Sequence, residues 1–335
     1  MLNYTIRRLL IAIPTLLFIS LVIFMLLELA PGDPMAQVPL TVPPEVREKM
    51  RSALGLDAPA HIRFAKWLWQ FFIVEPMYLC DVMFGTNWAD GQFRVQSWQT
   101  RSPVMDIVAQ RLPQTLWVVG LAYVLGVLIA LPIGIFSAYK QYSVFDQIGT
   151  FISMVGFSVP PFFTGVLLIV MFSVNLQWFP SIYDTTHKVV DWDSFVVQVR
   201  QMLLPVMVLA LQTTAQISRF MRASMLDNLN QDYVRTARAK GLSEKVVVLG
   251  HVLRNSMIPV VTVIALGVPA IFGGAIVTEQ VFKVNGIGQL LITAIQANDL
   301  PMVQTLTFMF AVLIVLFNLV ADVLYGVLDP RIRYE

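Results

Sequence analysis

The chain has 335 residues, 57% of them hydrophobic and 13% charged, whereas an ordinary soluble domain carries roughly 25% charged residues; this is the composition of an integral membrane protein. A formal net charge of +2 gives no sign of nucleic-acid binding, and no nucleic-acid partner is expected. Cys80 is the only cysteine, so an intrachain disulfide is excluded and the redox compartment cannot be read from cysteine usage.

Residues 1–29 place Arg7 and Arg8 ahead of the apolar run Leu9 to Leu27, an arrangement shared with signal peptides. The run is about long enough to cross a bilayer, which takes roughly 20 residues. No small-residue cleavage site closes it, and Glu28-Leu29-Ala30-Pro31-Gly32-Asp33-Pro34 follows, so it is expected to be a retained first helix. Further runs of spanning length lie at 114–138, 147–173, 203–221, 257–278 and 303–325. The expected fold is an all-α integral membrane protein with six transmembrane helices and both termini on one side.

Orientation follows from Lys and Arg in the short connections. With the N-terminus cytoplasmic, the inside segments hold twelve of these residues, among them Arg219, Arg222, Arg235, Arg238, Lys240, Lys245 and Arg254, while the short outside loops hold three, Lys188, Arg200 and Lys283. The chain is therefore expected to be a multi-pass membrane protein with both termini in the cytoplasm. The other eight basic residues lie in the long segment 30–112, which translocates largely regardless of charge.

Within that segment Pro44 suits the first position of a helix running to about Leu54, with Gly55 as terminator. A second helix is expected to begin near Pro59, and its Trp67, Leu68, Phe71 and Phe72 form an apolar face suited to the membrane interface. Two readings stand: a small cap packed on the outer ends of the spans, or a surface that contacts an external partner or solute. Pro160-Pro161 is expected to kink or break the third span, and Gly267, Pro269, Gly273 and Gly274 permit close contact or a break in the fifth. Neutral polar residues punctuate the spans: Gln114, Thr115, Ser153, Ser158, Thr164, Gln212, Thr213, Thr214, Gln216 and Asn318. Each either bonds across helices or faces a wet cavity, and the cluster Gln212, Thr213, Gln216, with Asn318, is the candidate translocation path.

Several chemistries are absent. Glu28 and Glu279 fall at outer ends of spans, Asp322 near the inner end of the sixth, and His61, His187 and His251 in loops, so no proton relay of carboxylates and histidines crosses the membrane. There is no G-x-x-x-x-G-K-[ST] phosphate loop. One cysteine and three dispersed histidines offer no metal cluster and no nucleophilic pair. No catalytic, cofactor or metal site is expected in this chain, and uphill transport through it would need energy from another polypeptide.

The remaining feature is the basic segment 223–256. Asp227 to Lys240 is expected to form one helix, with Tyr233 and Ala237 at i and i+4, ended by a left-handed turn at Gly241. Ser243 is expected to cap a second helix whose Val246, Val247, Leu249, Gly250 and Val252 make an apolar side and which Asn255 closes before Pro259. A helix, a glycine and a helix with one apolar side and a basic rim fit a groove on a soluble partner; an ordinary loop made basic by the charge asymmetry is the alternative.

The spelling of this segment, Arg235-Thr236-Ala237-Arg238-Ala239-Lys240-Gly241-Leu242 followed by His251-Val252-Leu253-Arg254-Asn255, resembles the signature cytoplasmic loop of membrane subunits of ATP-binding cassette importers. Arg235 stands where the generic motif has an acidic residue and Arg254 where it has proline, departures that match the dipeptide, oligopeptide and nickel permease branch and its B-type subunits. The resemblance continues through Arg7-Arg8-Leu9, Pro31-Gly32-Asp33-Pro34, Arg111-Leu112-Pro113-Gln114-Thr115-Leu116, Pro132-Ile133-Gly134, Asn285-Gly286-Ile287-Gly288 and Asp329-Pro330-Arg331-Ile332-Arg333. It is loosest at Cys80-Asp81-Val82-Met83-Phe84-Gly85, inside the segment 74–101.

What the resemblance implies is a type I importer fold and a non-catalytic permease subunit. Its partners would be a second homologous permease subunit, one or two cytoplasmic ATPases that bind ATP and Mg, an extracytoplasmic substrate-binding protein and the lipid bilayer. Arg235, Thr236, Ala237, Lys240, Gly241, Leu242, Ser243, His251, Arg254 and Asn255 would dock on an ATPase as the coupling element. Asn285, Gly286 and Gly288 would lie near the outer gate and the binding protein. The expected organisation is a first helix over 1–29, an extracytoplasmic helical segment over 30–112, a transmembrane core over 113–328 and a cytoplasmic tail over 329–335. The expected cargo is di- or oligopeptides imported by alternating access. Nickel, glutathione and oligosaccharide or opine-like solutes are alternatives within the class; an ion-coupled carrier and a scaffold protein are alternatives outside it.

Overall fold

A computed structural model describes residues 2–29, 42–53, 56–273 and 275–328. Leu54, Gly55, Gly274, the Pro31-Gly32-Asp33-Pro34 stretch and the Asp329 to Arg333 stretch lie outside them. The described residues form helices α1 (Leu2–Glu28), α2 (Pro44–Ala53), α3 (Ala60–Trp69), α4 (Glu75–Phe84), α5 (Val104–Thr115), α6 (Leu121–Tyr139), α7 (Val144–Ser158) and α8 (Pro161–Leu168). They continue with α9 (Trp192–Leu229), α10 (Asp232–Ala239), α11 (Glu244–Val246), α12 (Leu253–Gly273), α13 (Ile276–Phe282), α14 (Ile287–Gln296) and α15 (Leu300–Leu328). Wide π turns join α3 to α4, α5 to α6 and α11 to α12, so each pair runs on as one rod.

Among the described residues, five helical rods are long and apolar enough to cross a membrane: Ile6–Glu28, Val104–Tyr139, Trp192–Leu229, Glu244–Gly273 and Leu300–Leu324. The third expected span is the exception. It is split into Val144–Ser158 and Pro161–Asn175, bent by 105°. Pro14, Pro113, Pro132, Pro205, Pro259 and Pro269 all sit inside helices, because a lone proline removes one backbone bond that a long helix survives. At Pro160-Pro161 the second proline also drives its predecessor out of the helical region, and Pro160 is extended at φ −60, ψ 142.

The fourth span is longer than its apolar run suggests. Asp191 accepts a bond from Ser194 N at 2.8 Å and the Ser194 hydroxyl completes a capping box, so the helix begins at Trp192, ahead of the apolar stretch. In the fifth, the apolar run breaks after Gly273, and α13 and α14 are short helices that hydropathy alone does not separate from the span.

The chain divides into two compact units. The first comprises residues 1–8, 113–289 and 314–335. Its centre is the pairing of α6 with α9, where Gly126 and Gly134 let the backbones close: a Cβ on Gly134 would lie 2.6 Å from Met221 Cβ and 2.7 Å from the Ser218 carbonyl. Such small residues permit close helix approach. Arg222 of α9 holds Asp146 of α7 through two bonds of 2.6 and 2.8 Å, Ser153 and Ser218 bond at 3.1 Å, and Arg8 pairs with Asp322 at 3.3 Å.

The second unit comprises residues 9–112 and 290–313. Trp67 is buried, donates Nε1 to Thr305 Oγ1 at 3.3 Å and stands edge-on to Phe308. Phe71 and Phe72 also pack edge-on to Phe308. The aromatic face expected at the membrane interface is therefore, for Trp67 and Phe71, a packing face against α15, because three aromatic rings gain more from a matching ring than from a wet interface. Arg94 knots the same unit, bonding Glu75 at 2.8 Å and Asp106 at 2.9 Å beneath the Tyr78 ring.

Candidate functional site

Two clusters of the first unit carry most of the residues singled out by sequence. In the basic segment the expected helix from Asp227 to Lys240 is interrupted: α9 ends at Leu229, Asn230 and Gln231 break it, and α10 starts at Asp232. The side chains of Asn228, Asn230 and Gln231 turn back on carbonyls one turn earlier, a local competition with the helix ladder that amide side chains favour at helix ends.

The end of α10 follows its sequence closely. Gly241 has φ 75, the left-handed conformation in which glycine carries no Cβ penalty, and its N–H bonds the Arg238 carbonyl at 2.9 Å. Leu242 N reaches back to Ala237 O at 3.4 Å, closing the helix carbonyls. Ser243 occupies the N-cap position of α11, but its side chain makes no capping bond; Arg238 and Glu244 tie the two arms instead, at 2.7 and 3.1 Å. That hydrogen bond with Glu244 raises the Arg238 pKa further above its ordinary value. Asn255 closes nothing, since the rod from Glu244 runs unbroken to Gly273.

Burial divides the hairpin cleanly. Val234, Ala237, Val247, Val248 and Val252 are buried against Met221 and Met225 of α9. Of the apolar side expected to meet a partner, Val246, Leu249 and Gly250 are exposed, as is Tyr233, whereas Val247 and Val252 pack inside the chain. Arg235, Thr236, Lys240, Gly241, Leu242, Ser243, His251, Arg254 and Asn255 are exposed, and of the expected docking residues only Ala237 is buried. Leu242, Val246 and Leu249 add an exposed apolar row at i, i+4 and i+7.

The second cluster surrounds Glu279, placed by sequence at the edge of a span and given no role. It is 1% exposed. Thr115 donates Oγ1 to Glu279 Oε1 at 3.1 Å, Gln289 N donates to Oε2 at 2.8 Å, and Ile287 N donates to Thr115 Oγ1 at 2.8 Å. Asn285, Gly286 and Gly288 belong to the turn that wraps this carboxyl. A Cβ on Gly286 would overlap Glu279 Oε1 and sit 2.5 Å from Thr115 Oγ1; one on Gly288 would sit 2.9 Å from Oε2. The two glycines are the space the carboxyl occupies. Burial outweighs the hydrogen bonds and pushes the Glu279 pKa up. A carboxylate preceding Asn-Gly-x-Gly by six residues was the available sequence signal.

The candidate path residues are less uniform. Thr213 bonds its own helix at Leu209 O, 3.1 Å away, and its methyl lies against Gly126; Thr214 donates across to Gly126 O at 3.1 Å. Gln212 is half-buried, whereas Gln216 and Asn318 are exposed. The structure thus brings Thr213 and Thr214 into helix contact and leaves Gln216 and Asn318 on the surface of the single chain.

Comparison with known proteins gives a consistent picture. The model of the family described as "Binding-protein-dependent transport system inner membrane component" matches residues 130–334, and the model of its N-terminal region matches residues 1–119. The chain is 37% identical to the oligopeptide transport system permease protein AppB of Bacillus subtilis, over 99% of each chain. It is 38% identical to the glutathione transport system permease protein GsiC of Escherichia coli O1:K1, over 100% of each. It is 35% identical to a putative peptide transport system permease protein of Brucella abortus, over 98% of each.

Proposed function

The chain belongs to the binding-protein-dependent transport system inner membrane component family, and from that membership we propose that it is one of two permease subunits of an ATP-driven importer of di- or oligopeptides. The observation that carries the cargo class is full-length identity to relatives named for oligopeptide, glutathione and peptide transport. Glutathione is itself a small peptide, so the three names share an amide backbone with charged ends.

In this reading the exposed row Leu242, Val246 and Leu249 enters an apolar groove of a cytoplasmic ATPase, while Arg235, Lys240 and Arg254 rim it with positive charge. ATP and Mg reside on the ATPase. A binding protein outside the membrane delivers the solute, the second permease subunit covers the faces that carry Gln216 and Asn318, and nucleotide-driven movement of the hairpins alternates access. The N- and C-termini lie on the ATPase side, a placement that the charge asymmetry supports.

The test is reconstitution of this chain with a partner permease, ATPases and a binding protein from the same organism, followed by uptake of labelled peptides. Uptake that needs ATP, binding protein and this chain together supports the reading. Uptake by this chain alone, driven by an ion gradient, overturns it. Uptake of nickel or an oligosaccharide in place of peptides overturns the cargo alone.

A further inference from the structure

The second unit contains a cavity of about 410 Å³, on the scale of small-ligand sites, that neither the hairpin nor the Glu279 cluster uses. Its apolar side is the end of α1, Phe24 and Leu27, with Trp67 of α3; its other wall is the loop through Trp98 and Arg101 with the start of α15. That loop is fixed in place. Asp299 accepts bonds from Ser97 Oγ, from Trp98 N at 3.0 Å and from Gln99 N at 3.4 Å, and it also accepts Met302 N at 3.4 Å from the first turn of α15.

The charges around the cavity are not paired one to one. Each nearby carboxylate is already engaged: Glu28 by Arg63, Glu75 and Asp106 by Arg94, Asp299 by the loop. Lys66 and Arg101 line the cavity and have no carboxylate partner among the described residues. Gln304 also lines it, is 6% exposed, and its Nε2 is buried with no hydrogen-bond acceptor among the described residues. A buried amide donor without an acceptor costs free energy, and with two cations lining the same cavity an oxyanion would serve all three.

We propose that this cavity binds the phosphodiester headgroup of an anionic phospholipid. Lys66 and Arg101 neutralise the phosphate, Gln304 Nε2 donates to one of its oxygens, and the acyl chains leave along α1, where Leu21, Met25 and Leu26 are exposed. Continuity with a candidate membrane span, Ile6–Glu28, selects a lipid over a soluble anion. A Trp side chain, Trp98, stands in the wall, as tryptophans do at the headgroup level. The inference rests on the chain lying in a bilayer and is independent of the transported solute.

The test is native mass spectrometry of the full chain, purified with its partner subunits in detergent and titrated with phosphatidylglycerol or phosphatidylcholine of identical acyl chains. Preferential retention of phosphatidylglycerol is expected. The double variant Lys66→Gln, Arg101→Gln should lower that affinity roughly thirtyfold, as expected for two basic residues beside an anionic lipid, with phosphatidylcholine unaffected. Gln304→Leu should weaken phosphatidylglycerol retention without lowering the melting temperature, since it removes an unsatisfied donor at nearly constant volume. Equal retention of the two lipids, or unchanged phosphatidylglycerol retention in both variants, overturns the site. Binding of glycerol phosphate or a dipeptide with the same dependence on Lys66 and Arg101, without retention of phosphatidylglycerol, overturns the lipid assignment.

Discussion

Replacing Gly286 with alanine adds a single methyl group, and the structure says where it would go. The new Cβ overlaps Glu279 Oε1 and stands 2.5 Å from Thr115 Oγ1 and 2.6 Å from Glu279 Cδ. Neither neighbour has room to give way, since Thr115 and Glu279 are 0% and 1% exposed and each is held by backbone N–H donors. Overpacking of this kind costs about 1–3 kcal/mol, and displacing the carboxyl strands a buried hydrogen-bonding group for about 1–3 kcal/mol more, so the sum is on the order of 2–6 kcal/mol. The assay is thermal or denaturant unfolding of the purified complex, with Gly286→Ala, Glu279→Ala and the double variant compared. Truncating Glu279 removes two of the three overlaps and releases the Thr115 hydroxyl from its bond to the carboxyl, so the double variant should be distinctly less unstable than the two single losses added together, a coupling that contacting residues show. A Gly286→Ala protein as stable as the parent, or strictly additive losses, would refute the clasp.

Three further outcomes are expected. A Cβ on Gly241 meets nothing within 4 Å, and the residue has φ +75, so valine there pays only the left-handed backbone penalty, about 1–2 kcal/mol; transport per ATP hydrolysed should fall with Gly241→Val and stay near normal with Gly241→Asn, and unchanged coupling in the valine variant would sink the docking proposal. Arg94→Met leaves Glu75 buried without its cation, a loss of about 3–5 kcal/mol readable as a drop in melting temperature, and Glu75→Gln in the same chain should recover part of it. Burial raises the Glu279 pKa above its ordinary value of 4.5, so the folded clasp holds its proton more tightly than the unfolded chain; its stabilisation is full below that ordinary value and is lost as pH rises through the raised one. The melting temperature of Glu279→Gln should be flatter than that of the parent over that interval.

Much of the fold is legible in the sequence because hydrocarbon imposes few solutions. Long apolar runs mark the spans, Pro160-Pro161 marks the break, and Gly241 marks the turn of the hairpin. What stays hidden follows from a limit of pattern reading: it registers which residues are apolar, not what each one faces. The stripe Tyr233 and Ala237 is displaced to Val234 and Ala237 in the structure, and the aromatic face of α3 finds Phe308, more than 200 residues away in sequence. The Glu279 cluster is of the same kind. Its members come from three separate stretches, at Thr115, Glu279 and Ile287 to Gln289, and only their meeting explains why Gly286 and Gly288 lack side chains.

Under the docking proposed above, the packing of the basic hairpin bears on how energy supplied by another polypeptide would enter this chain. A loose loop absorbs a displacement at its tip; this hairpin cannot, because Val234, Ala237, Val247, Val248 and Val252 are locked in one cluster with Met221 and Met225 of α9, and close-packed interiors transmit strain instead of absorbing it. The same Met221 fills the space left by Gly134 on α6, so the cluster reaches the α6–α9 pairing without a gap. The 38 residues of α9 make a rod of roughly 57 Å, long enough to carry movement from the hairpin through the full depth of a bilayer. On the hairpin's other arm, the rod from Glu244 runs into α12 without a break. Force applied at Gly241 therefore acts on two spanning helices at once, and the hydrogen bonds between Ser224 and Ser256, at 2.8 and 3.2 Å, keep those helices in register where they leave the hairpin.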